Sequence, residues 1–299
     1  MLMLFQLLNV LNHWDHLQAE EARLYTLLVL AAAALGFAST VALPPRFYLR
    51  HRSFLVPAQR VLLVLSPSIR QTGVGTSLIL EREPREGMGG ALRQPLAIVI
   101  ATKLAMPITQ QLMVLLPPVA TAAVQAVLVV LTWNPAGYCN TPMMRHPLTV
   151  GRLRRLAAAL DWASLPMLAA QSVAAGPGFV VVGMREAGED ALCYAGLTFA
   201  SAGLGCALPV LLSAFCYQPC PDQLEEAGGS ARLRRGGALQ RWVQLAKRAV
   251  RAVDWCVART LGGRAFRLQR PLLMWWALSY TWEWSKIVAN MTAQAAAAA

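Results

Sequence analysis

The feature that most limits what this chain can fold into is the length of its stretches without a charged residue. There are 22 uncharged positions between Arg23 and Arg46, 41 between Lys103 and Arg145, 23 between Asp161 and Arg185, and 31 between Asp190 and Asp222. A helix that crosses a bilayer needs about 20 mostly apolar residues, and a barrel strand only about 9–11. In lipid the backbone must satisfy its own hydrogen bonds, which leaves helices or closed barrels, and runs this long are too long for barrel strands. The pattern predicts an all-α, polytopic helical bundle of five to six spans. Charged residues make up 14% of the chain, where a soluble domain carries about 25%. That deficit argues against a soluble enzyme. The net charge of +12 then belongs with a membrane surface rather than with nucleic acid.

The runs place spans near 24–43, 95–116, 119–136, 156–176 and 192–215, inside a membrane domain of residues 24–216. Loop charge arbitrates the 95–133 region, since cytoplasmic loops collect Lys and Arg. A hairpin turning at Pro117-Pro118 puts loops 44–94, 134–155 and 217–270 on one side, with 8, 4 and 11 basic residues. The other side then holds 2, Arg23 and Arg185. On that reading the N-terminus is outside and the arm 119–136 is short, which local thinning of the bilayer can accommodate. Residues 1–23 read as an amphipathic segment: no basic residue precedes MLMLFQLLNVLN and no small-residue cleavage site follows it. The 44–94 loop holds short apolar pieces and an EREPREGMGG stretch expected to be flexible. Residues 271–289 read equally as a sixth span or as an interfacial helix, with Trp275, Trp276, Tyr280, Trp282 and Trp284 as an aromatic belt. Residues 290–299 are a low-complexity tail.

The basic loop 217–270 contains the clearest helical pattern outside the spans. In residues 238–261, Leu239, Trp242, Val243, Ala246, Val250, Val253 and Val257 recur at i, i+3, i+4, i+7, while Arg241, Lys247, Arg248, Arg251 and Arg259 occupy much of the rest. A basic amphipathic helix of this kind lies on an anionic membrane or enters a partner's groove. Each cation near an anionic leaflet contributes about 1 kcal/mol. Trp242 and these five cations are the expected contacts with lipid or an acidic partner. The competing reading packs the apolar face on the bundle.

Ionisable groups inside spans are costly, so they draw attention by default. Lys103 and Asp161 fall at similar inferred depth, toward the cytoplasmic third of neighbouring spans, where they pair across helices or snorkel separately. Gln110, Gln111, Gln125 and Gln171 would extend a polar interior, as a solute or ion pathway needs. The plainer reading is that such groups only hold helices together. The histidines His13, His16, His51 and His146 show no ligand cluster, and no metal or cofactor is expected. Only Cys193 of the six cysteines falls on the outer side of this map, which argues against an intrachain disulfide. Cys216 and Cys220 stand at the cytoplasmic end of a span, a setting for S-palmitoylation.

Catalytic signatures are missing from the sequence: there is no G-x-S-x-G, P-loop, H-E-x-x-H or complete G-x-G-x-x-G motif. No catalytic residue is assigned, and the role expected is structural or interactive within a membrane. Anionic lipid is the expected partner, with a protein partner or a second copy of the chain as further candidates. Small-solute or ion transport through Lys103, Asp161 and the Gln set is the alternative.

Overall fold

Pro118, Pro135, Pro142 and Pro147 each stand at the first position of a helix, where no N–H is needed and the fixed φ already suits helical geometry. The same residues end what comes before, because the position preceding a proline disfavours helical backbone. The computed structural model describes residues 83–102, 116–175, 187–217, 238–262 and 268–298 continuously, with isolated positions such as Val56, Leu80 and Met184 elsewhere. The protein is all-α: 88% of the described residues are helical, with no strand among them.

The main elements are α1 (Gly87–Ala101), α2 (Pro118–Thr132), the short α3 (Pro135–Cys139) and α4 (Pro142–Arg145), and α5 (Pro147–Ala175). They continue with α6 (Glu189–Cys216), whose middle, Ala200–Ala207, is wound as a π-helix, then α7 (Ala238–Gly262) and α8 (Arg270–Ala298). α1 begins at Gly87 with φ of +81°, so the GMGG sequence expected to be flexible forms its first turn. Gly90 is needed there, since a Cβ would lie 2.0 Å from the Arg85 carbonyl oxygen.

One described helix, α6, is long and apolar enough to cross a bilayer. α2 is apolar but has 15 residues, about 22 Å at 1.5 Å per residue, short of a hydrocarbon core of about 30 Å. The expected span near 24–43 lies almost wholly outside the described residues. So does most of the arm 95–116, beyond Thr102. Val56 and Val61, expected in a loop, pack with Leu116, Val124 and Leu128 along α2.

Contacts fix the directions of the helices. Val150 and Leu153 near the start of α5 meet Leu192, Tyr194 and Ala195 near the start of α6, and a Cβ on Gly196 would touch Leu153 at 3.4 Å. α5 and α6 therefore run parallel. α8 is antiparallel to both: Ala289 joins the Val150 cluster, while the Arg270 guanidinium lies 5.4 Å over the Phe215 ring. α2 opposes α6, since Thr121 bonds Ser213 and Thr132 and Trp133 lie beside Leu197 and Ser201.

This arrangement corrects the expected sidedness of the loops. α3, α4 and the starts of α5 and α6 share one end of the bundle. The starts of α2 and α8, the end of α6 and part of α7 share the other. Residues 134–147 and α7 therefore lie at opposite ends, whereas the charge partition put loops 134–155 and 217–270 together. By Met184, whose backbone N–H donates to Asp161 Oδ2 at 3.1 Å, the chain is back at mid-height on α5. Charge counting assumed that two successive long helices must be antiparallel. The parallel course of α5 and α6 breaks that assumption.

A disulfide is also present where none was expected. Cys139 at the end of α3 bonds Cys193 in the first turns of α6. The earlier expectation followed from assigning the two residues to opposite sides, and the shared end removes its basis.

Candidate functional site

Asp161 lies midway along α5 rather than near one end, and a buried ionic network surrounds it. Among the described residues its partner is Lys286 of α8; the expected partner, Lys103, lies outside them. Lys286 Nζ donates to Asp161 Oδ1 at 3.1 Å and pairs with Glu283 Oε2 at 2.7 Å. Glu283 and Lys286 are each only 5% exposed. Their i, i+3 spacing stacks them on one helix face. The remaining lone pairs are met from three directions. Trp282 Nε1 donates to Asp161 Oδ1 at 2.8 Å, the Met184 N–H reaches Oδ2, and Ser164 Oγ donates to Glu283 Oε1 at 2.5 Å. Three turns along α8, Trp275 Nε1 donates to the Ala163 carbonyl at 3.0 Å.

Local sequence explains this convergence. Asp161 and Ser164 are three apart, so both face α8, while Trp162 and Leu165 point away and are exposed. Pro166 in the next turn lacks the N–H that would bond the Trp162 carbonyl. Trp282 is 1% exposed and meets Phe199 of α6 edge-on at 5.6 Å. The expected aromatic belt is thus divided: Trp282 is buried, whereas Trp276, Tyr280 and Trp284 are exposed.

Two depressions on the described surface do not touch the network. One is lined by Arg145, Gly188, Glu189, Asp190, Ala191 and Ala293, and the other is a slot beside Trp133 and Tyr138. Among the described residues the two carboxylates and the ammonium bond one another and neighbouring donors, an arrangement that links α5 to α8.

Of the other residues singled out by sequence, Gln125 is completely buried on α2. Gln110 and Gln111 lie outside the described residues, as does the side chain of Gln171. The sequence reading passed over Glu283, Lys286 and Ser164. Glu283 and Lys286 lie within 271–289, the segment that reads equally as a sixth span or an interfacial helix. The usable signal was an opposite-charge i, i+3 pair inside a long apolar run, matched by a carboxylate in another run.

Polarity within the bundle is inverted on three helices. On α2, Thr121 and Gln125 are buried while Val130 is 73% exposed. On α5, Ser164 is buried while Leu156, Trp162 and Leu165 are exposed. On α8, Ser279, Glu283, Ser285 and Lys286 are buried while Leu272, Trp276, Tyr280, Ile287 and Met291 are exposed.

α7 touches the bundle along one edge. Asp254, buried, accepts the Val119 N–H at 2.8 Å. It serves as a cap supplied in trans to α2, whose own N-cap residue Pro117 offers no side-chain bond. Burial pushes the Asp254 carboxyl up and the Val119 bond pulls it down, with burial the larger effect. Trp242, Leu245, Val250 and Val253 are exposed, as are Arg248, Arg251 and Arg259, with Arg259 lying 4.9 Å over Trp255. Arg241 and Lys247 belong to α7, but their side chains are not among those described. Cys216 is exposed and unbonded at the end of α6; Cys220 lies outside the described residues. No protein-family model, curated protein or solved structure matches this chain at a significant level.

Proposed function

We propose that the chain is a multi-pass integral membrane protein of non-catalytic, structural or interaction role, with α2, α5, α6 and α8 forming its membrane core. The inverted polarity of α2, α5 and α8 carries this reading. A protein folded in water seldom buries Thr, Gln, Ser, Glu and Lys while exposing runs of Val, Leu, Ile, Trp and Met on the same helices. Lipid as the outer solvent removes the conflict, because polar groups then seek each other inward and apolar ones face acyl chains. The basic helix α7 would rest on anionic lipid at the membrane surface. Resistance of the full-length protein to alkaline carbonate extraction tests this reading. Retention in the membrane pellet is expected, and release into the supernatant overturns it.

Transport is the second reading, favoured by one observation: two carboxylates and an ammonium lie at mid-height in the bundle. A structural joint predicts that neutralising Asp161 and Lys286 together costs far less stability than removing Lys286 alone. A transport site predicts lost flux at unchanged stability.

A further inference from the structure

The cysteines divide between the two ends of α6. Cys193 in its first turns is oxidised with Cys139, whereas Cys216 at its last residue is a free, exposed thiol. They are 23 residues apart on one helix, about 35 Å along its axis, which is the thickness of a hydrocarbon core with a small margin. Disulfides persist in oxidising spaces and are rare in the cytosol. Charge is the more one-sided at the α7 end. α7, at the Cys216 end, carries Arg241, Lys247, Arg248, Arg251 and Arg259 against Asp254 alone, and the Asp254 carboxylate is engaged by the Val119 N–H. At the disulfide end the signs are mixed: Glu189 and Asp190 open α6, beside Arg145 of α4 and Arg152, Arg154 and Arg155 of α5.

The geometry points to opposite compartments for the two ends: the Cys139–Cys193 end in an oxidising space, and the α7 end on the cytosolic leaflet, where the exposed apolar arc of α7 enters an anionic phospholipid surface. This rests on the multi-pass reading above. The occupant of the arc follows from three features. Trp242, Leu245, Val250 and Val253 are exposed on a helix that meets the bundle at Asp254 and, near its end, at the Leu261 carbonyl, which accepts from Arg270. The flanking cations match headgroup phosphate. The helix also lies at the level where α6 ends, the plane in which a bilayer surface would lie. Cys256 is exposed in the same arc, three residues after Val253, and so reports on what covers it.

Two measurements on the full-length chain test the proposal. The first uses a Cys206→Ser, Cys220→Ser, Cys256→Ser background and a membrane-impermeant maleimide. Cys216 should stay unlabelled in intact cells and become labelled once the plasma membrane alone is opened, and Cys139 and Cys193 should react only after reduction. Labelling of Cys216 in intact cells, labelling that waits for full solubilisation, or reaction of Cys139 and Cys193 without reductant overturns the sidedness. The second follows Cys256 alkylation, with Cys206, Cys216 and Cys220 changed to Ser, in nanodiscs of neutral phosphatidylcholine with and without phosphatidylserine. Alkylation should slow several-fold in the anionic discs and recover as salt rises. Equal rates overturn anionic-lipid docking. Retention in carbonate with either result reversed removes this inference alone, while release by carbonate removes the membrane reading beneath it.

Discussion

Lys286 faces two carboxylates, Asp161 at 3.1 Å and Glu283 at 2.7 Å. Replacing it by Met leaves two like charges in a largely buried site, and breaking a buried pair by removing one partner costs about 3–5 kcal/mol. Asp161→Asn leaves Lys286 and Glu283 as a neutral pair, with an amide oxygen still able to accept from Trp282. Thermal unfolding in mild detergent should therefore rank Lys286→Met well below Asp161→Asn. The reverse order would show that Lys286 is not the centre of the joint. Asp254 behaves differently, because burial raises its pKa in the folded state. A carboxyl whose folded pKa exceeds its unfolded value binds protons more tightly when folded. Its contribution is therefore favourable below the unfolded value of about 3.8 and is lost as pH rises through the folded one. Asp254→Asn keeps an acceptor for the Val119 N–H and removes this dependence. The variant should be at least as stable as the parent at pH 7, with a flatter stability profile above about pH 4. Asp254→Ala should cost about 1 kcal/mol, as the loss of a helix cap does.

At the scale of elements, the contact between α6 and α8 depends on small residues where α6 is wound as a π-helix. A Cβ on Gly203 would meet the Phe199 ring at 3.2 Å and Leu278 at 3.5 Å. Gly203→Ala should be tolerated with a minor shift. Gly203→Leu should overpack the contact by about 1–3 kcal/mol, read as a lower detergent melting temperature. How far the elements were legible follows from what made each of them. The pattern over 238–261 gave a helix observed at 238–262, and the run expected at 192–215 is helical over 189–216. Both follow from periodicity or from unbroken apolarity, which are local. The segment 271–289 reads equally as a span or an interfacial helix because Glu283 and Lys286 lie near its end. The helix runs from Arg270 to Ala298, and Asp161 and Ser164 on another helix meet those charges. A partner 125 residues away leaves no trace in local spacing. The Asp254 cap on α2, which spans 135 residues, was invisible for the same reason.

At the scale of the whole molecule, charge counting groups loops 134–155 and 217–270, because that method assumes that successive long helices alternate in direction. The parallel α5 and α6 instead put residues 134–147 and α7 at opposite ends of the bundle. The Cys139–Cys193 bond holds the corrected arrangement by closing a separation of 54 residues. For a chain unfolding in water, such a loop is worth about 4 kcal/mol. Reduction of the native protein should therefore lower its melting temperature, and Cys139→Ser with Cys193→Ser should reproduce the drop without reductant. The ionic joint also has a consequence in time. The ribosome makes Asp161 well before Lys286, and at about 5–20 residues per second the 125 intervening residues take roughly 6–25 seconds. Throughout that interval the carboxylate has no counter-ion from α8, so on the proposed membrane reading α5 would not settle into its final neighbourhood when first inserted. Nascent chains stalled before Arg270 should stay bound to the insertion machinery or be degraded, whereas chains stalled beyond Ala298 should be released as folded protein.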